Sequence, residues 1–219
     1  MGRASPLPKG YVPMHISEGV LSPAILGAGY ALTALGTLVG LRKADYGRLV
    51  TTAVLAAVFF VASLIHVPLG PGNVHLILNG LLGLFLGWAV FPALLVALLL
   101  QAILFRYGGI ASLGVNVFDM AFPAVLCHYL FRSWLCRGHT MRLAGSFLCG
   151  ALSVAGAALF TALALALTDE GFWASAKILL LAHLPVMVLE GIMVALIVSY
   201  IAKTRPNLLQ PAATLGGKI

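Results

Sequence analysis

Six histidines, His15, His66, His75, His128, His139 and His183, are the residues whose chemistry stands out in this chain. Neutral imidazole nitrogen is a good donor to nickel, cobalt, zinc and copper. The Met14-His15 dipeptide adds a sharper possibility. A free α-amine on Met14, the His15 backbone nitrogen and the His15 imidazole would close two fused chelate rings around one metal ion. A fourth nitrogen would complete a square plane, a geometry favoured by Ni(II) and Cu(II). His75 is the best-placed fourth donor, because it follows Gly70-Pro71-Gly72, a stretch that lets one backbone approach another closely. His66 ranks second. Residue by residue, such a histidine is more often an interfacial hydrogen-bonding group than a metal ligand, so taken singly none of them marks a site.

The carboxylates come next. Glu190 follows His183 by seven residues, two helical turns, and so shares its helix face. An ionisable group at that depth is costly in a membrane and marks a functional position by default. It would serve either in a proton relay with His183 or as a hydrogen-bonded lock between helices. Asn116 is expected to cap a helix, with Asp119 in the first turn. Gln101 lies close by in the same stretch. Cys127, Cys136 and Cys149 form no Cys-x-x-Cys pair and read as small packing residues. The chain contains no Gly-x-x-x-x-Gly-Lys-[Ser/Thr] phosphate loop and no Gly-x-Ser-x-Gly or His-Glu-x-x-His hydrolase motif. Haem would need two facing histidines at one depth. The only pair available, His128 and His183, is expected toward opposite faces.

These groups have to be held by apolar helices. Of the 219 residues, 61% are hydrophobic and 9% charged, against roughly 25% charged in soluble domains. That composition excludes a soluble enzyme. The net charge of +7 is scattered over short loops rather than gathered in a nucleic-acid-binding patch. Runs long enough to cross a bilayer cover Val20–Leu41, with a Gly36-x-x-x-Gly40 pair for close packing, then Leu49–Val67, Val117–Leu135, Leu143–Thr168 and Ile178–Lys203. Leu76–Phe105 is too long for one comfortable span. Gly87 and Pro92 divide it into Leu76–Val90 and Phe91–Phe105. The expected fold is therefore an all-α membrane bundle of seven transmembrane helices. With the N-terminus outside, nine Lys and Arg fall on cytoplasmic segments: Arg42, Lys43, Arg48, Arg132, Arg137, Arg142, Lys203, Arg205 and Lys218. Four fall outside: Arg3, Lys9, Arg106 and Lys177. The bias vanishes if Leu76–Phe105 is a single helix, so the positive-inside rule favours seven helices and a cytoplasmic C-terminus. In this topology His15, His66, His75 and His183 gather at the outer end. Residues 1–13 lack the apolar core of a signal peptide. The expected organisation is an N-terminal extension (1–13), a seven-helix membrane domain (14–203) and a cytoplasmic tail (204–219).

Several motifs together resemble the CbiM/NikM substrate-binding subunits of energy-coupling-factor transporters for cobalt and nickel. They are Met14-His15-Ile16-Ser17-Glu18-Gly19, Gly72-Asn73-Val74-His75-Leu76, Gln101-Ala102-Ile103-Leu104-Phe105 followed by Gly108-Gly109, Leu113-Gly114 and Asn116-Val117-Phe118, and Ala182-His183-Leu184-Pro185 with Glu190-Gly191. They run in order across residues 14–203. The resemblance implies a cup open to the outside of a prokaryotic cell (inner) membrane, with the N-terminal segment folded into it. It implies Met14, His15 and His75 as ligands of a transported Co2+ or Ni2+, with no cofactor and no catalysis. The implied partners are a membrane coupling (T) subunit, ATP-binding cassette ATPase subunits and a small accessory membrane subunit. The family pattern begins at the methionine of Met-His, whereas here 13 residues precede Met14. The expectation is that translation starts at Met14 or that the extension is removed. Cobalt and nickel are not separated, since both accept nitrogen ligands.

Overall fold

Ser22 opens the first helix, its hydroxyl accepting the Ile25 N–H at 3.4 Å, with Pro23 at the first helical position. The computed structural model describes residues 16, 18–69 and 72–209. Seven α-helical segments and one short hairpin follow in those residues: α1 (Pro23–Arg42), α2 (Leu49–Ala62), β1 (His66–Leu69), β2 (Gly72–His75), α3 (Asn79–Leu86), α4 (Val90–Phe105), α5 (Leu113–Phe131), α6 (His139–Thr168) and α7 (Trp173–Thr204). Strands β1 and β2 pair antiparallel, with His66 opposite His75 and Leu69 opposite Gly72. The expected bundle contained no strands, so this hairpin is an addition to it.

Polarity is distributed as a lipid solvent requires. Leu35, Val50, Leu104, Leu167 and Leu196 point outward and are exposed. The centre holds Phe59, Phe91, Leu94, Val117, Met120, Val154 and Val186, all buried. Five stretches are long and apolar enough to cross a membrane: Pro23–Arg42, Asn79–Phe105, Leu113–Cys136, His139–Thr168 and Glu170–Thr204. The third element pair departs from expectation. Leu76–Val90 was to be helical, but only Asn79–Leu86 is. At eight residues α3 is about 12 Å long and crosses roughly half a bilayer core.

The chain reverses between α3 and α4. Asn79 donates to the Met120 carbonyl, Gly83 abuts Ala124 and Gly87 abuts His128, so α3 and α5 advance in step. Trp88 and Pro92 then lie against Gly40 near the end of α1, while Ala102 and Arg106 at the end of α4 line a cleft with Glu18, which precedes α1, so α4 runs back along α1. Gly87 makes the corner with φ 53° and ψ −126°, a conformation strained for any residue with a Cβ. The Gly36-x-x-x-Gly40 pair acts as expected: a Cβ at Gly40 would stand 2.5 Å from the Trp88 carbonyl oxygen.

Candidate metal site

Residues 1–15 and 17 lie outside the described residues, and with them Met14 and His15. Ile16, the next residue, is described and is tightly held. Its N–H donates to Asn116 Oδ1 at 3.1 Å, and its carbonyl accepts from Ser112 Oγ at 2.7 Å and from Asn116 Nδ2 at 3.3 Å. Its side chain is buried with Leu21, Val115, Ala158 and Leu179. Two further bonds fasten the segment that follows. Glu18 Oε1 accepts the Ala111 N–H at 3.2 Å, and the Ser22 N–H donates to Thr168 Oγ1 at 3.4 Å.

Asn116 was expected to cap α5. The helix instead begins three residues earlier, at Leu113, and Asn116 sits inside its first turn. From there the side-chain amide matches the N–H donor and the carbonyl acceptor of Ile16, 100 residues away, a pairing that an amide can make and a carboxylate cannot. Ser112 and Glu18 were missed as holding residues. Glu18 was quoted only as part of a motif, and nothing local marks Ser112.

The second predicted ligand segment is held from the other side. Between β2, which ends at His75, and α3, residues Leu76 to Leu78 belong to no helix or strand, and Leu78 adopts φ 53°. Glu190 on α7 accepts two consecutive N–H groups here: Ile77 to Oε1, and Leu78 to Oε2 at 2.9 Å. This is why Leu76–Leu78 does not continue as helix. At membrane depth, irregular backbone survives only where its polar groups are satisfied by protein, and Glu190 supplies both acceptors. Asn79 completes the corner. Its Nδ2 donates to the carbonyls of Met120 (3.1 Å) and Ser153 (3.3 Å), and its Oδ1 accepts the Gly80 N–H at 2.9 Å.

Ile77 and Asn116 then line one small cavity of about 10 Å³, together with Asp119, Met120, Ala157, Ala158, Thr161 and His183. That is room for about one water molecule. Asp119 Oδ2 accepts from Thr161 Oγ1 at 3.0 Å. His183 Nδ1 lies 2.7 Å from the Leu179 carbonyl. A carbonyl can only accept, so Nδ1 carries the hydrogen and Nε2 of the neutral ring keeps a lone pair. His183, Asp119 and Asn116 are all buried.

His128 lies at the far end of α5, its Nδ1 2.8 Å from the Gly83 carbonyl. It does not line the cavity with His183, which agrees with the expected separation of that pair. Gln101 Nε2 donates to Ser63 Oγ at 2.7 Å, joining α4 to α2 at the base of the hairpin. Cys127 and Cys149 are buried as expected of packing residues, while Cys136 is exposed. Among the described residues, no group of three or more His, Cys, Asp or Glu is placed to hold a metal ion.

The cobalt uptake substrate-specific transmembrane region (CbiM) family model matches residues 15–208. A Haemophilus influenzae protein named as a metal transport protein is 48% identical over 199 residues, covering 90% of this chain and 97% of its own. A Methanocorpusculum labreanum protein named as cobalt transport protein CbiM 1 is 31% identical and covers 94% and 96% respectively. An Archaeoglobus fulgidus protein named as a fused nickel transport protein, NikMN, is 30% identical, with 93% of this chain and 70% of that one covered. The fold also matches the crystal structure of a transition metal transporter, with a TM-score of 0.74 and 29% identity over 93% of this chain and all of the other.

Proposed function

The chain belongs to the CbiM family of cobalt uptake substrate-specific transmembrane proteins, and from that membership we propose that it is the metal-capturing subunit of an ATP-driven uptake system for Co2+ or Ni2+, with Met14, His15 and His75 as ligands. A multi-pass transition-metal transport protein is what the family makes it. The capture step, the ligand set and the division of labour are the proposal.

One observation carries the site. The two segments that bear the candidate ligands are both anchored beside the same buried polar cavity. His15 directly precedes Ile16 in sequence, the residue that Asn116 and Ser112 hold. His75 precedes by two residues Ile77, which Glu190 holds and which lines that cavity with Asn116. Anchoring of this kind pre-organises donors, so less ordering entropy is lost when an ion binds. The amine-ligand scheme further requires the Met14 nitrogen to be free, hence a chain beginning at Met14.

Seven crossings, an outer N-terminus and a cytoplasmic C-terminus are supported by the reversal at Gly87 and by charge. Lys43, Arg48 and Arg132 cluster at one end of the bundle, while Arg106 and Glu18 line a cleft at the end that holds Ile16. The positive-inside rule makes the first end cytoplasmic. With no phosphate loop of its own, the subunit depends for release on a membrane coupling (T) subunit, ATP-binding cassette ATPases and a small accessory membrane subunit. A proton-relay transporter built on Glu190 and His183 is disfavoured, because both Glu190 oxygens are already engaged by backbone N–H groups.

The test is calorimetric titration of NiCl2 and CoCl2 into purified protein beginning at Met1 and into protein beginning at Met14. One ion bound per chain by the Met14 form, lost in His15→Ala and in His75→Ala, supports the assignment. Equal binding by both forms sinks the amine ligand, and no binding by either sinks the capture site.

A further inference from the structure

We propose that the end of the bundle remote from Ile16 carries a binding site for the phosphate headgroup of an anionic phospholipid. A cleft of about 270 Å³ opens there, walled by the connection after α1, the start of α2, the end of α3, the Gly87–Ala89 corner and the last turns of α5. Its charges are Lys43, Arg48 and Asp45, with the His128 ring on the wall. Asp45, whose Oδ1 accepts the Gly47 N–H at 2.9 Å, is one carboxylate against two cations in that lining. Arg132 lies over the Phe85 ring on the same wall, 5.7 Å from its centroid. Lys43 and Arg48 against the single carboxylate of Asp45 leave the cleft with net positive charge, which suits an anion.

Depth identifies which anion. Leu49 and Val50 on α2 and Leu126 and Leu130 on α5 are exposed apolar residues within about one turn of Arg48 and His128, so acyl chains end where the cleft begins. The lining includes Trp88 and Tyr129, and exposed Tyr46 adjoins Asp45 in sequence, all of them aromatic types that settle at headgroup level. Trp88 Nε1 donates to the Tyr129 hydroxyl at 3.0 Å, and Lys43 Nζ lies 5.7 Å above the Trp88 ring. That fixes one cation over the mouth of the cleft. A lipid phosphate resides at this depth and meets the cleft without leaving the membrane, and basic clefts between membrane helices take such headgroups.

The cleft lies at the opposite end from the capture cavity, so the proposal stands or falls independently of the metal-ligand assignment. Native mass spectrometry of the full chain, released from vesicles of equimolar phosphatidylglycerol and phosphatidylcholine, tests it. Wild type is expected to retain phosphatidylglycerol in preference. Lys43→Ala and Arg48→Ala should each weaken that preference about fivefold, and the double variant on the order of 30-fold, at the usual strength of a surface cation for anionic lipid. Lys177→Ala, at the other end, should leave it unchanged. These are exposed or half-buried side chains, so the variants are expected to fold, and their thermal unfolding is followed in parallel. Equal retention of both lipids, or a preference that survives the double variant, overturns the proposal. Inorganic phosphate binding with no advantage for phosphatidylglycerol also overturns it, since the site would then take a soluble anion.

Discussion

Glu190 holds Leu78 in place: Oε2 accepts the Leu78 N–H at 2.9 Å across 112 positions of sequence, while Oε1 takes the N–H of Ile77. Leu78 stands at φ 53°, a left-handed conformation that a leucine seldom adopts. Such strain persists only where the surroundings over-determine it. One carboxylate on α7 therefore holds the segment between the end of β2 and the start of α3.

Glu190→Ala should leave two buried N–H groups without acceptors, costing about 2–5 kcal/mol. Glu190→Gln keeps one acceptor and should cost less. Thermal unfolding in detergent would rank the two, and nickel titration should weaken in the same order. Full stability in Glu190→Ala would show that the carboxylate does not anchor the loop.

Asn116→Ala removes both bonds to the Ile16 backbone while deleting little packed volume. The chain should stay folded and bind nickel on the order of 10- to 100-fold more weakly, as two ordinary hydrogen bonds are lost. Ser112→Ala should have a smaller effect. Unchanged affinity in Asn116→Ala would detach the Ile16 anchor from metal capture.

The hairpin register places His66 opposite His75. His75→Ala should abolish stoichiometric capture. His66→Ala should reduce affinity about tenfold, the effect of losing a supporting residue rather than a ligand. Reversed magnitudes in titrations of the two variants would make His66 the ligand.

Gly87→Ala asks a residue with a Cβ to adopt φ 53° and ψ −126°, with the new methyl 3.3 Å from His128 Nε2. A loss of about 1–3 kcal/mol is expected, seen as a lowered Tm in detergent. A neutral outcome would show that the α3–α4 corner can relax without its glycine.

Much of this molecule is legible in one dimension, because a bilayer constrains helices through local composition. Long apolar runs must be helices, since no water is present to satisfy an open backbone. Charge marks their ends, Gly36 and Gly40 mark a close contact, and an uncharged stretch of 30 residues containing Gly87 has to turn. Helix α4 and most of α1, α6 and α7 follow from that. The Met-His dipeptide and the glycine-flanked His75 are likewise visible without coordinates, as donor types at a spacing.

Tertiary structure decided how polar groups are matched. Asn116 looks like a cap because caps are local, yet its partner is Ile16, 100 residues away. Glu190 looks like a stray charge until Ile77 and Leu78 arrive 113 and 112 positions off to use it. Hydropathy sees Leu76–Leu78 as helix because those residues are apolar. It cannot see that a carboxylate on another helix takes their N–H groups. An apolar period is a property of one segment, whereas a buried hydrogen bond is a property of two, and only the fold brings the second within bonding distance.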